Sequence, residues 1–162
     1  YIFCQSGDNL IVIDQHAAHE RLLFEKFRKQ YIGGKVTSQT LLFPESIELS
    51  PFQMQLVENN IEELERIGFS ISEFGGNSYI LSAIPAIAGQ CNGSELFLDL
   101  LESFGNEGSK RSKGGRLDDI LATMACKAAV KSGDDLSSRE IEALLERMDR
   151  ADLFYHCQPR LL

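Results

Sequence analysis

Leu10-Ile11-Val12-Ile13-Asp14-Gln15-His16-Ala17-Ala18-His19-Glu20-Arg21-Leu22-Leu23-Phe24-Glu25 passes from an unbroken apolar run into a pattern with helical spacing. The first four residues read as a strand. Asp14 stands where that strand hands over to a helix, and an aspartate there can accept the orphan N–H groups of the first turn. His16 and Glu20 are four residues apart, so on a helix they share a face, with Cβ atoms about 6 Å apart and room to hold one ion. Glu25 lies roughly half a turn away from Glu20 around the axis and is badly placed to grip the same ion. Spacing alone leaves a second reading open. Acidic residues in a first turn complement the helix dipole, Glu20 can pair with Arg21 or Lys26, and a histidine at a helix start is commonly just solvated.

Working outward, Tyr1 to Gln5 and Asn9 to Ile13 read as two short strands joined at Ser6-Gly7-Asp8. The helix that opens at Gln15 runs to about Tyr31, with Leu22, Leu23, Phe24 and Phe27 on its apolar side, and Gly33-Gly34 ends it. Val36 to Ser50 reads as extended. Within it, Gln39-Thr40-Leu41-Leu42-Phe43-Pro44 has the make-up of a groove-binding peptide: a polar Gln39, apolar Leu42 and Phe43, and a Pro44 that disfavours helix at the residue before it. The same six residues also read as a core strand ending at a proline. Ser50 is a good N-cap with Pro51 at the first helical position, and Met54, Val57, Ile61, Leu64 and Ile67 carry a stripe that stops at Gly68. Phe69 to Phe74 and Asn77 to Ile84 alternate around Gly75-Gly76 as a second hairpin.

Ser94 is expected to cap a third helix, with Leu96, Phe97, Leu100, Leu101 and Phe104 as its buried side. Gly105 to Gly115 reads as a polar, glycine-rich loop. Its Lys110, Arg111 and Lys113, with Arg116, form a concentrated positive patch, which serves equally as phosphate contact or as solvated loop charge. Leu117 to Lys131 is a strong helix with Cys126 beside its apolar stripe, and Ser137 or Ser138 starts the last helix, Arg139 to Asp149.

Sixteen basic residues against twenty-four acidic give a net charge of −8. That argues against sequence-independent DNA affinity, which comes from neutralising phosphates. The 162 residues, 43% hydrophobic, suit one compact unit or two small subdomains. A chain that opens at Tyr1 is expected to be part of something longer. No apolar run approaches the roughly 20 residues that span a bilayer, and no signal-peptide pattern precedes the fold, so a soluble, intracellular protein is expected. Four cysteines without a CxxC pair are expected to be reduced thiols. Cys4 and Cys91 read as small buried hydrophobes, while Cys126 and Cys157 are candidate ligands.

Asp14-Gln15-His16-Ala17, two residues, Glu20, four residues and Glu25 together resemble the endonuclease motif of the MutL C-terminal domain, from DNA mismatch repair. Gln39 to Pro44 resembles that family's sliding-clamp-binding motif, and Ala125-Cys126-Lys127 its second metal-site motif. Cys157 falls where a third motif, Cys-Pro-His-Gly-Arg-Pro, begins. The tail Phe154-Tyr155-His156-Cys157-Gln158-Pro159-Arg160 keeps the cysteine but lacks the His-Gly-Arg step.

The resemblance implies an α+β fold in two parts. Residues 1–35 and 86–162 are the expected dimerisation and endonuclease part, and residues 36–85 the expected inserted regulatory part that carries the clamp segment. It implies a latent, metal-dependent endonuclease that nicks one strand of duplex DNA. Asp14, His16 and Glu20 are its expected catalytic residues, and these three with Cys126 and Cys157 its metal ligands. Zn2+ is the expected regulatory or structural ion, and Mn2+, or Mg2+, the catalytic one. Gln39, Leu42, Phe43 and Pro44 are expected to meet the replicative sliding clamp, and Lys127 is a candidate phosphate contact.

A homodimer is implied, with weak affinity for duplex DNA on its own, working beside a MutS-type mismatch sensor and its own N-terminal ATPase domain. No membrane partner is expected; the compartment is the bacterial cytoplasm, near the nucleoid. Tethering to a ring already threaded on DNA substitutes an effective concentration in the rough range of millimolar for the affinity an acidic domain lacks. Two other readings compete: a non-catalytic homodimerisation module, and a metal-sensing regulator, for which no basic DNA-reading helix is present.

Overall fold

β1 (Ile2–Ser6) and β2 (Asn9–Ile13) pair antiparallel, with Phe3 opposite Val12 and Ile2 opposite Ile13. Side chains directly opposite one another share a face. Ile2, Cys4 and Ile13 therefore turn together into a small core with Ala18, Leu144 and Met148, while Phe3, Leu10 and Val12 remain exposed on the other face. The computed structural model describes residues 1–6, 9–89, 91–105, 113–129 and 136–151, and the side chains of Ser6 and of residues 113–116 lie outside the description.

α1 (Gln15–Ile32) opens at Asp14, whose Oδ1 accepts the N–H groups of His16 at 2.9 Å and Ala17 at 3.1 Å. It ends at Gly33, and Gly34 takes a φ of +123°, open to glycine at no steric cost. β3 (Ser38–Glu48) then pairs with β5 (Ser78–Pro85), which pairs on its far side with β4 (Ser70–Gly75), giving the order β3-β5-β4. The expected second hairpin is β4–β5, turning at Gly75 and Gly76 with φ of +125° and +62°. α2 (Pro51–Arg66) follows a capping box in which Ser50 and Gln53 satisfy each other's backbone.

α3 (Gly93–Gly105) and α4 (Lys113–Ala128) differ from expectation at their starts. Asn92, rather than Ser94, accepts the first-turn N–H of Glu95. Ser94 is engaged elsewhere: its N–H and its hydroxyl both donate to the Glu45 carboxylate. α4 begins at Lys113 in place of Leu117 and takes in Gly114 and Gly115, glycines that propensity would leave outside a helix.

The large core joins Phe27 and Tyr31 of α1 to β3, α2, β5, α3 and α4, and Phe69 meets Phe97 edge-on with ring centroids 5.5 Å apart. Residues 36–85 therefore share their core with α1, α3 and α4, and the smaller cluster ties the β1–β2 hairpin and the start of α1 to the last helix. The fold is α+β as expected. Among the described residues, no helix is long and apolar enough to cross a membrane.

α5 (Ser138–Arg150) is held at its start by Ser137, whose Oγ accepts the Glu140 N–H while the Glu140 carboxylate accepts the Ser137 N–H at 2.8 Å. Hydrogen bonds from Ser137 hold the Glu140 carboxyl below its ordinary value. A depressed carboxyl stabilises above its unfolded value and loses that contribution as the pH falls through its folded one. Ser137→Ala is expected to cost about 1 kcal/mol at neutral pH, a deficit that shrinks in acid; urea melts at both pH values check it.

Candidate functional site

Asp14 fixes the first turn of α1, and two faces of that turn look in different directions. His16 and Glu20 lie one turn apart with Nε2 and Oε2 4.0 Å from each other. Arg21, which could have drawn Glu20 away, bonds Glu25 at 2.6 Å instead. Glu20 is thus left to face α4, where Cys126 stands exposed beside the core-facing Met124 and Ala125. One ligand atom each from His16, Glu20 and Cys126 lie within 4.8 Å of one another.

That donor set is imidazole nitrogen, carboxylate oxygen and thiol sulfur. Bond lengths of about 2.0–2.3 Å put tetrahedral zinc ligands roughly 3.5 Å apart, so small side-chain movements close the set on an ion. Mixed nitrogen and sulfur donors favour zinc, while the carboxylate also serves manganese or magnesium. The residues present fit the group. Burial, then the Glu20 carboxylate, push the Cys126 thiol above its ordinary value. A thiol proton held against a carboxylate is one that an ion of charge two would displace, leaving the thiolate as ligand.

Asp14 is outside this trio. Its Oδ1 is committed to the helix cap, so its demonstrated part is to hold the turn that aims His16 and Glu20. Cys157, His156 and the rest of the tail lie outside the described residues, as do Asp134, Asp135 and the basic patch at Lys110 and Arg111. Lys127 turns away from Cys126 toward α3: its Nζ is 2.5 Å from Asp99 Oδ2 and 3.8 Å from Glu95 Oε1. The hydrogen bond to Asp99 raises its pKa. Its charge is compensated by two carboxylates, which weakens its claim as a phosphate contact.

Beside the trio opens a cleft of about 730 Å³, lined by His19, Gln39, Cys91, Glu95 and Lys127 among others. Cys91 is half-buried there and donates to the Lys127 carbonyl at 3.1 Å. Gln39 reaches the cleft across Gly89, where any Cβ would collide with its Oε1. The rest of the candidate peptide leaves the sheet. Thr40 is opposite Ala83 and Glu45 opposite Leu81, so residues 41–44 stand against Ser82 alone and must bulge outward. Leu41 packs back on the core, while Leu42 and Phe43 are 87% and 80% exposed. Glu45, bonded to Ser94 at the start of α3, fixes the base of the bulge.

Sequence reasoning missed the role of Glu45, the pairing of Lys127 with α3, and the surface that α5 turns toward α1. Each depends on contact across tens of residues, and no local pattern carries it.

The chain matches the family of the MutL C terminal dimerisation domain over residues 1–136. It is 41% identical over 157 residues to the DNA mismatch repair protein MutL of Geotalea daltonii, covering 97% of this chain and 26% of that protein. The figures for MutL of Geobacter sulfurreducens are also 41%, 97% and 26%, and MutL of Pelobacter propionicus is 43% identical over 157 residues, with 97% of this chain and 26% of that protein covered. The chain therefore spans 26% of the length of each of the first two relatives.

Proposed function

The chain belongs to the MutL C-terminal dimerisation domain family, and from that premise we propose that it is a latent, metal-dependent nicking domain of DNA mismatch repair, homodimeric and tethered to the sliding clamp. The observation that carries the reading is the convergence of His16, Glu20 and Cys126 from two helices within 4.8 Å. His16, Glu20 and Cys126 are the proposed holders of zinc, with Cys157 joining from the tail, and manganese supports cutting at the same place. An ion held by these residues would supply a bound water of lowered pKa and neutralisation of the charge that builds on the phosphoryl oxygens. Asp14 orients the two α1 ligands through its cap and is the proposed second carboxylate for the catalytic ion, while Glu20 faces the Cys126 thiol, whose proton a bound ion would replace. An acidic domain gains its DNA by tethering, which the exposed Leu42 and Phe43 suit. Gln39 and Pro44 frame that segment.

Asp14→Asn is the informative variant because asparagine caps a helix as well as aspartate does, so the change removes a charge while leaving the turn in place. Nicking of supercoiled plasmid in Mn2+ with the clamp loaded is expected to disappear, with folding and dimerisation unchanged. Equal nicking by wild type and variant would place the chemistry elsewhere.

The dimeric part of the reading has its own support. Tyr1, Phe3, Leu10 and Val12 are 79%, 68%, 69% and 52% exposed on the β1–β2 hairpin. Apolar side chains grouped in this way mark an interaction surface. A purely structural homodimerisation module accounts for that face but leaves the His16–Glu20–Cys126 convergence without a purpose.

A further inference from the structure

Gln15 and His19 occupy the face of α1 next to the one that carries His16 and Glu20, and α5 lies across them. Between the two helices is a groove of about 270 Å³ lined by Gln15, His19, Arg139, Glu140, Leu144 and Arg147 among others. Arg139 and Arg147 are eight residues apart, so they project from one side of α5, roughly 12 Å apart along its axis. His19 lines both this groove and the cleft beside the metal trio.

Among the arginines whose side chains are described, these two differ from the rest. Arg21, Arg28 and Arg150 each pair with a carboxylate. Arg66 donates to the carbonyls of Gly34 and Tyr31 and stacks on the Tyr31 ring. Among the described residues, Arg139 and Arg147 form no ion pair, in a chain whose net charge is −8. Glu140 also lines the groove, but its carboxylate accepts both the N–H and the hydroxyl of Ser137 and is committed to the helix cap.

We propose that Arg139 and Arg147 hold two backbone phosphates of duplex DNA in this groove, leading the strand past His19 to the metal trio. A spacing of roughly 12 Å along α5 matches three to four nucleotides of one strand at about 3.4 Å each. Arginine suits the task because its planar fork grips phosphate oxygens in pairs. The choice of DNA as the phosphate source rests on the nicking reading; the groove and its uncompensated charge do not.

The test is duplex binding by the intact protein in chelator, followed by fluorescence anisotropy across a salt series. Each phosphate contact contributes about 0.9 to the slope of log affinity against log salt. Arg147→Ala is expected to lower the slope by about one and the Arg139→Ala/Arg147→Ala pair by nearly two, with zinc content and melting temperature unchanged. Arg147→Lys, which keeps the charge and the stem, is expected to restore the slope. An unchanged slope in the double variant, or a wild type that binds no duplex at low salt, overturns the proposal. Displacement of duplex by inorganic phosphate well beyond that by chloride at equal ionic strength assigns the groove to the free ion and also overturns it. A wild type that never nicks yet shows the arginine-dependent slope sinks the nuclease reading and leaves this site standing. Asp14-dependent nicking with no loss of slope does the reverse.

Discussion

Cys126→Ser is expected to strip the protein of tightly held zinc and to abolish nicking in Mn2+, while its melting temperature in metal-free buffer stays within about 2 °C of wild type. The thermal figure follows from exposure: Cys126 lies outside the core, and surface changes away from special features stay within about 0.5 kcal/mol, about 1–2 °C for a domain of this size. The metal loss is expected to exceed the roughly 10–100-fold that outer hydrogen-bond partners of a ligand contribute, because a donor atom itself is removed. Glu20→Gln, of the same shape, is expected to do likewise without touching a thiol. Zinc content after dialysis and titration calorimetry read the effect. A serine variant that keeps one zinc per chain at wild-type affinity would sink the trio as the metal centre.

The same site carries a pH signature. The partial covering of the otherwise exposed Cys126 thiol and then Glu20 push it upward, and coordination requires the thiolate, so each ion bound releases that proton. Zinc affinity of the wild type is therefore expected to rise with pH up to the thiol's raised titration range and to level off above it.

What the sequence disclosed about this site was local. Asp14 as a cap and His16 with Glu20 on one face follow from side-chain chemistry and a period of 3.6, and both are found. The partnership with Cys126 needed α1 and α4, with residues 33–112 between them, to pack together, which no spacing rule supplies. Only the resemblance joined them in advance. By apolar stripe alone Cys126 would have been a buried thiol, and the structure leaves it exposed, with Glu20 of α1 beside it. The choice of Arg21 for Glu25 over Glu20, by contrast, follows helical spacing, since residues four apart share a face and adjacent ones do not.

Removing the two side chains at the tip of the β3 bulge is the other change with a large expected effect. Leu42→Ala with Phe43→Ala is expected to abolish clamp binding and clamp-stimulated nicking while leaving unstimulated nicking and stability unchanged. Stability is spared because these side chains are 87% and 80% exposed and contribute nothing to the core. Binding is lost because large apolar anchors seated in a groove carry at least about 2 kcal/mol each when they are hot spots, and two together remove about half of a micromolar affinity of about 8 kcal/mol, enough to weaken it to about millimolar. The loss of tethering then removes an effective concentration near millimolar, which two phosphate contacts in a chain of net charge −8 do not replace. Leu41→Ala serves as the contrasting variant. That residue packs against the core, so its truncation is expected to lower the melting temperature while sparing the exposed tip. Clamp affinity by surface plasmon resonance, set beside melting curves, separates the two. Unchanged clamp binding in the double variant would return Gln39–Pro44 to the plainer role of an irregular edge strand.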